Sequence, residues 1–196
     1  MTFITVVNNI ADTVGLDRFS QIVGSGDPNA QTMLTLANEA GNEISKRVDW
    51  ERQIVEFPFA VSPTSLPADF QRIAPGSGVR VGTLYARPVT NSGQWGVIKS
   101  SGSTIPYYFI SNSVIQVSIP TSNMTLSYIS GNWVINTSGL WRTFMADDDT
   151  TTFPETLLQK NMMWRWRRQQ GLAFDDYLAE FEADLAAEIK ADRGVS

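Results

Sequence analysis

The feature that most constrains the fold is a change in hydrophobic spacing, which is helical at both ends of the chain and alternating in the middle. Apolar residues at helical intervals predict a first helix over residues 2–14, which Gly15 would end. A second helix is predicted from Asp27, as N-cap, and Pro28 to about Asp49. The two apolar faces comprise Phe3, Val7, Ile10 and Val14, and then Met33, Ala37, Ala40, Ile44 and Val48.

From Gln53 the spacing changes to a period of two, which is typical of strands. In the first strand Val55, Phe57, Phe59 and Val61 would share one side. Ser111-Asn112-Ser113 predicts a hairpin connection between two of the later strands. Those later strands are predicted at Val79 to Arg87, Tyr107 to Ile110, Val114 to Ile119, Met124 to Ile129 and Asn132 to Ile135.

The last third of the chain returns to helical spacing. Thr152 and Glu155 have the spacing of a capping box at the start of one helix, and Gly171 would end it. A final amphipathic helix follows, with an apolar stripe and an acidic face. The stripe is Phe174, Leu178, Phe181, Leu185 and Ile189, and the acidic face is Glu180, Glu182, Asp184 and Glu188.

This order predicts an α+β fold in which the terminal helices form a bundle and an antiparallel β domain is inserted between them. We expect a helical bundle domain of residues 1–50 and 141–196 and an inserted β domain of residues 51–140. No internal repeat is evident.

Composition excludes most catalytic and metal-binding chemistry. The chain has no cysteine and no histidine, so disulfides, thiolate zinc sites and imidazole-dependent triads are excluded. The net charge of -5 disfavours a role in gripping DNA, which requires many phosphate contacts. We therefore expect a protein that is not an enzyme and needs no cofactor or metal.

The sequence carries no sign of membrane insertion or export. No basic region precedes the first apolar residues, so a signal peptide is not expected. No apolar run approaches the roughly 20 residues that a membrane span needs. We expect a soluble protein made in a cytoplasm.

Three short motifs allow a ligand-binding interpretation, but that interpretation is not favoured for any of them. Trp164-Arg165-Trp166-Arg167-Arg168 could bind single-stranded nucleic acid, but packing against neighbouring helices explains it better. Asp147-Asp148-Asp149 could bind a hard cation such as calcium, but a solvated linker is favoured because no EF-hand spacing follows. Gly24-Ser25-Gly26 is rejected as a phosphate cradle, since no strand precedes it and no lysine follows.

Several segments, in this order, resemble the head-to-tail adaptors of short-tailed bacteriophages, known in some phages as tail tubular protein A or tail accessory factors. Arg47-Val48-Asp49-Trp50 ends the second helix, and Leu66-Pro67-Ala68-Asp69-Phe70 follows the first strand. The hairpin around Asn112 leads to Pro120, and Phe153-Pro154-Glu155 opens the helix that contains Trp164-Arg165-Trp166. Asp192-Arg193-Gly194 lies near the end. The resemblance covers most of the chain.

The resemblance implies a homo-oligomeric ring of twelve copies in the virion neck, made in the host bacterial cytoplasm. Such a ring would join the portal protein to a tail or nozzle protein and enclose genomic DNA without binding it specifically. We predict tail-facing β loops at Gln94, Trp95 and Lys99, although the region around them does not match the family pattern. The predicted portal or intersubunit interface comprises Asp49, Trp50, Trp164, Arg165, Trp166, Phe174, Leu178, Phe181, Leu185 and Ile189.

Two further expectations concern binding. An alternative function is a β-domain module that recognises a glycan or host-surface ligand through exposed Trp95, Tyr107 and Tyr108. We also expect residues 172–196 to dock against the portal or a neighbouring subunit, because the long apolar stripe is followed by a polar end.

Overall fold

The computed structural model describes residues 1–194, and these residues form a mixed α+β fold, which confirms the predicted class. Val195 and Ser196, part of the predicted docking segment, lie outside the described residues. The helices are α1 (Phe3–Val14), α2 (Pro28–Arg47), α3 (Ser92–Ser101), α4 (Glu155–Gln169) and α5 (Asp175–Asp192).

The strands of the described residues are short, and all twelve fall between α2 and α4. A single 3-10 turn, Glu51–Gln53, precedes the first of them. The strands are β1 (Ile54–Phe59), β2 (Thr64–Ser65), β3 (Phe70–Ile73), β4 (Val79–Val81), β5 (Leu84–Tyr85), β6 (Arg87–Val89), β7 (Tyr107–Ser111), β8 (Val114–Val117), β9 (Met124–Ser130), β10 (Val134–Asn136), β11 (Gly139–Trp141) and β12 (Thr150–Thr151).

The chain divides into two compact units. The helical unit is Met1–Gln53 with Gly131–Ser196, and the β unit is Ile54–Ser130. Within the helical unit, α4 contacts α1, α2 and α5. The unit also holds a small antiparallel sheet in the order β11-β10-β12. One hydrophobic core, built from all four of these helices and this sheet, fills the helical unit.

The C-terminal end of α1 and the N-terminal end of α2 form as predicted. Gly15 adopts a φ of 78° after α1, and its N–H donates to the carbonyl of Ala11. The Asp27 carboxylate accepts hydrogen bonds from the N–H groups of Asn29 and Ala30, at 2.7 and 3.4 Å. These contacts satisfy backbone groups that a helix end otherwise leaves without partners.

The capping box predicted at the start of α4 is wrong. Pro154 precedes the helix, and no side-chain hydrogen bond caps it. The Thr152 N–H donates to the Trp133 carbonyl at 2.9 Å, which holds Thr152 in continuation of β12. Its hydroxyl is buried and has no hydrogen-bond partner among the described residues. Pairing with the sheet therefore prevents Thr152 from capping the helix.

Two sheets form the β unit, and they share a second hydrophobic core. One sheet has the order β1-β9-β4-β5, with β3 also paired to β9, and every residue of β9 is buried. The other has the order β2-β8-β7-β6. The predicted hairpin is confirmed: β7 and β8 are joined by Asn112 and Ser113, which have φ values of 50° and 59°.

The β unit departs from the sequence prediction in two ways. The strand predicted from Val79 to Arg87 is broken at Gly82, whose φ of 59° forms the turn between β4 and β5. The unit is also not purely antiparallel, because β6 and β7 pair in parallel. Parallel neighbours require a crossover connection, and α3 lies in the segment that joins these two strands.

Gly41 of α2 packs directly against the indole of Trp133. A Cβ atom added at Gly41 would lie 2.0 Å from a ring carbon of Trp133. Trp133 is fully buried, and its Nε1 donates to the Asn42 side chain at 3.1 Å. The ring also stacks on Phe153 and meets Phe144 edge to face.

We predict that Gly41→Ala destabilises the protein, although alanine favours helix more than glycine does. The methyl group must displace a fully buried ring, and overpacking typically costs about 1–3 kcal/mol, more than the roughly 1 kcal/mol gained in helix propensity. Chemical denaturation monitored by tryptophan fluorescence measures the change. Gly96→Ala in α3 is the control, because its Cβ would meet nothing within 4 Å. Equal stability of G41A and G96A would contradict the prediction.

Candidate interaction surfaces

The aromatic and basic cluster of α4 packs against the chain itself. Trp164 is 7% exposed and lies beside Phe174, and Trp166 is half-buried against the same core. The Arg165 guanidinium forms ion pairs with Glu39 and Glu43 of α2, at 3.0 and 2.5 Å. The cluster is therefore largely engaged in joining α4 to α2.

The remaining two arginines of the cluster are also in contact with α4 and its neighbours. Arg167 donates to the carbonyl of Ala173 at 2.6 Å, and its guanidinium lies 4.5 Å from the ring centre of Tyr177. Arg168 lies 5.8 Å from the ring centre of Trp164. The interface role predicted for Trp164, Arg165 and Trp166 stays a prediction.

An open groove of about 720 Å³ runs between α2 and α4. The Trp164 Nε1 is buried and has no hydrogen-bond partner among the described residues. The lining is mixed in polarity and comprises Pro28, Gln31, Thr32, Thr35, Leu36, Glu39, Trp164, Arg165, Arg168 and Gln169. A groove of this size and polarity can receive a chain segment or a side chain from a partner.

At the end of α2, the predicted interface residues Asp49 and Trp50 have different environments. Asp49 is half-buried, whereas Trp50 is 2% exposed and packs beside Phe153 in the helical core. The Trp50 Nε1 donates to the Ile44 carbonyl at 3.4 Å. Trp50 therefore presents almost no surface to another molecule in this fold.

The apolar stripe of α5 is covered by the chain's own core. Phe181 and Leu185 are 0% and 2% exposed. Phe174, Leu178 and Ile189 are partly buried against the same core. In this fold only these last three offer surface to a partner, so the docking role of the stripe stays a prediction that rests on them.

Three of the four carboxylates of the acidic face of α5 pair with helices of the same unit. Glu182 forms a bidentate pair with Arg47 of α2, at 2.7 and 2.6 Å. Lys160 of α4 pairs with Glu180 at 2.6 Å and with Asp184 at 2.5 Å. These contacts fix α5 against α2 and α4.

The aspartate run 147–149 is not the solvated linker that the sequence predicted. Asp149 is 2% exposed and accepts hydrogen bonds from the N–H groups of Met145 and Ala146, at 2.7 and 2.9 Å. The Asp147 carboxylate accepts from the N–H groups of Ile22 and Val23. Only Asp148 is exposed. Two of the three carboxylates therefore hold the backbone of their own chain.

The predicted tail-facing loop is a helix, and its tryptophan is buried. Gln94, Trp95 and Lys99 all lie on α3, which the Asn91 side chain caps. Trp95 is 6% exposed, stacks on Phe109 and donates from Nε1 to Gln116 at 3.1 Å. Gln94 and Lys99 are exposed. Packing of Trp95 on β7 and β8 thus anchors a helix in a sequence rich in glycine and serine.

The same burial removes the basis for the glycan-binding alternative. Trp95 and Tyr108 are 6% and 9% exposed, and Tyr107 is half-buried. An aromatic platform for a sugar requires exposed ring faces, and two of the three expected rings do not provide them.

Asp69 joins two strands of the β unit, a role that the sequence analysis did not predict. It lies in the Leu66–Phe70 segment, and its carboxylate accepts hydrogen bonds from the hydroxyls of Tyr128 and Ser130 on β9, at 2.8 and 2.6 Å. Burial, together with this carboxylate, raises the pKa of the Tyr128 hydroxyl above its usual range. The segment therefore fastens the start of β3 to the central strand of its sheet.

Ion pairs and hydrogen bonds also shift the pKa of carboxyl groups around α2. Burial raises the pKa of the Glu43 carboxyl, but hydrogen bonds from Arg165, Asn161 and Arg47 outweigh that effect and hold the pKa below 4.5. Arg47 likewise lowers the pKa of Glu182. Both shifts favour the charged, ion-paired form.

Residues 1–194 contain no cluster of three or more acidic side chains arranged to hold a metal ion. Within the same residues, no helix has the length and apolar character that crossing a membrane requires.

The described residues thus form a mixed α+β protein whose two units each have a hydrophobic core. The family model of the SU10 adaptor protein matches residues 1–196, the whole chain. The chain belongs to the SU10 adaptor protein family. A search of curated proteins finds no match to it. Membership confirms the resemblance to phage head-to-tail adaptors and gives the chain a structural role as a phage adaptor and virion component.

We predict that Asp149→Ala and Asp147→Ala each destabilise the protein, whereas Asp148→Ala has little effect. Removing a carboxylate that accepts hydrogen bonds from partly buried N–H groups costs about 1–3 kcal/mol, and surface substitutions usually change stability by less than about 0.5 kcal/mol. Thermal unfolding followed by circular dichroism measures all three. If the run held calcium, adding the ion would raise the melting temperature of the wild type, and D148A would reduce that gain.

We predict that stability falls as the pH drops below 4.5, in part because Glu43 must be protonated. A carboxyl with a lowered folded-state pKa contributes stability above its unfolded value, and that contribution is lost as the pH falls through the folded value. Glu43→Gln should therefore flatten the pH dependence measured by denaturant unfolding between pH 3 and 7. Glu39→Gln is the control, since Glu39 pairs with the same Arg165 but is 56% exposed. A larger flattening in E39Q than in E43Q would contradict this assignment.

Proposed function

We propose that the protein is a head-to-tail adaptor that assembles as a ring of twelve copies between the portal and the tail or nozzle, where it extends the DNA channel. The observation that carries this proposal is the match of the adaptor family to the entire chain. In the proposed organisation, residues 1–50 and 141–196 act as a helical bundle domain that carries an inserted β domain of residues 51–140. The site of action is the virion neck, and synthesis takes place in the host bacterial cytoplasm.

The charge of the chain supports passage of DNA rather than retention of it. The net charge is -5, and Arg47, Lys160 and Arg165 are held in ion pairs with carboxylates of the same chain. A channel wall with few phosphate contacts lets the duplex slide, because each such contact would hold it in place. No catalytic step is proposed, since the inventory of titratable residues consists of carboxylates, amines, guanidinium groups and tyrosines.

The portal and intersubunit interface is proposed to use the partly exposed members of the predicted set. Asp49, Trp166, Phe174, Leu178 and Ile189 retain exposed surface. Trp50, Phe181 and Leu185 support this surface from the core beneath it. The groove between α2 and α4, with Trp164 and Arg165 in its wall, is the concave part of the same proposal.

We predict that a chain cut after Ala191 stays folded but fails to join portal rings. The only described side-chain contact that the cut removes is the hydrogen bond from the Glu51 N–H to Asp192, at 3.2 Å. Circular dichroism checks folding, and co-sedimentation with portal rings, followed by negative-stain microscopy, checks assembly.

Asp192→Ala in the full-length chain is the matched control, because it removes that hydrogen bond and keeps the rest of the segment. Failure of D192A to assemble would assign the defect to the lost hydrogen bond. Normal co-sedimentation of the shortened chain would rule out a portal-docking role for residues 192–196. Failure of the full-length wild type to assemble with portals would contradict the proposed function itself.

A further inference from the structure

An exposed basic edge is present on the β unit, and its two arginine side chains form no ion pair within the described residues. We define the basic edge as Arg80, Leu84, Tyr85 and Arg87. β5 is the last strand of its sheet, and Leu84 and Tyr85 are 57% and 61% exposed. Arg80 lies directly across from Tyr85 in the β4–β5 pair. An edge strand with exposed apolar side chains is a ready site for association with another molecule.

Arg80 and Tyr85 share the exposed face of the β4–β5 pair, and Arg87 follows two residues later, as the first residue of β6. Val79, Val81, Ala86 and Val89 are buried in the β core. Arg80 lies between Val79 and Val81 on β4 and is exposed, and Tyr85 and Arg87, on either side of Ala86, are exposed as well. Cross-strand neighbours on one face lie close together, so Arg80 and Tyr85 form a contiguous surface. Tyrosine and arginine, together with tryptophan, are enriched among energetically dominant interface contacts.

Neither Arg80 nor Arg87 forms an ion pair within residues 1–194. The β unit has only two carboxylates, Glu56 and Asp69, against four basic side chains, which gives it a formal charge of +2. Asp69 is engaged by Tyr128 and Ser130, and Glu56 lies on β1, at the opposite edge of the sheet from β5. The β unit therefore cannot neutralise its basic edge with its own carboxylates.

The helical unit has the opposite charge. Since the whole chain carries -5 and the β unit +2, the helical unit carries -7. Part of this excess is exposed and has no ion pair within the described residues, as at Asp175 and Asp176, where α5 begins. Two copies of the chain are thus complementary when the β unit of one meets the helical unit of the next.

We propose that the basic edge docks onto the acidic helical unit of a second copy of this chain, with Arg80 and Arg87 facing its carboxylates and Leu84 and Tyr85 buried in the contact. Such a contact joins different surfaces of the two copies, and it generates a ring when the rotation closes. The proposal rests on the proposed ring function and names the surface that sets its subunit order.

Charge reversal tests the basic edge. In Arg80→Glu/Arg87→Glu, the dissociation constant for self-assembly, measured by sedimentation velocity on the chain alone or on portal rings, should rise at least about tenfold. Lys99→Glu is the control, because Lys99 is exposed in the same unit but lies on α3. Wild-type assembly should also weaken as salt is raised.

Assembly of the wild type tests the ring function, and assembly of the double variant tests the basic edge. If the wild type forms rings and the double variant forms them equally well, the basic edge is not the contact, while the ring function stands. If the wild type assembles neither alone nor on portal rings, the proposed ring function is contradicted, and the inference that rests on it is contradicted too. A folded double variant, checked by circular dichroism, makes a loss of assembly attributable to the surface.

Zero-length cross-linking identifies the partner. Arg80→Lys/Arg87→Lys keeps both charges and adds amines that a carbodiimide can couple to carboxylates in contact with them. Assemblies are made from a mixture of isotopically light and heavy chains, so that mass spectrometry separates links between copies from links within one copy. Links between copies, from the introduced lysines to carboxylates of residues 1–53 or 131–194, are expected. Links only to a portal or tail protein, or none between copies, would overturn the proposal.

Discussion

The contact between Trp133 and Gly41 is the constraint on which the helical unit depends. An indole fits against the backbone of α2 only because position 41 has no Cβ. The same ring stacks on Phe153 at the entry to α4 and meets Phe144 edge to face, and Phe144 in turn stacks on Phe3 of α1 at 4.0 Å. One aromatic cluster therefore joins three helices to the small sheet. A close-packed core transmits any change at its centre to all of these elements.

Asp147 and Asp149 also hold segments of the helical unit together, through hydrogen bonds to backbone N–H groups. The first turn of α1 lacks a side-chain cap, and the N–H groups of Phe3 and Ile4 donate instead to the carbonyls of Asp149 and Asp147. The carboxylates of the same two aspartates accept from backbone N–H groups near the run and at residues 22–23. Since buried N–H groups without partners are costly, this loop fixes the start of the chain against a segment more than 120 residues away.

Ion pairs join the helices of the helical unit, but they do not neutralise all of its carboxylates. Arg47, Lys160 and Arg165 each pair with carboxylates on a neighbouring helix, which fixes how α2, α4 and α5 meet. After this pairing the helical unit still has excess negative charge, and two arginines at the edge of the β unit have no ion pair among residues 1–194. A structural adaptor needs specific surfaces for its own copies and its neighbours, and complementary charge supplies specificity and association rate more than raw affinity.

The sequence by itself determined the elements whose signals are local. The spacing of apolar residues predicted α2, α5 and β1, Asp27 and Gly15 marked helix ends, and Asn112-Ser113 marked the hairpin. Tertiary structure decided the elements whose stability comes from distant partners. Residues 92–101 have little helical propensity and form α3 because Trp95 packs on β7 and β8, and Thr152 leaves its predicted cap because it pairs with Trp133. Asp147 likewise looks like part of a solvated run until folding brings the N–H groups of Ile22 and Val23 to it, because a local pattern carries no information on which distant donors will lose their water.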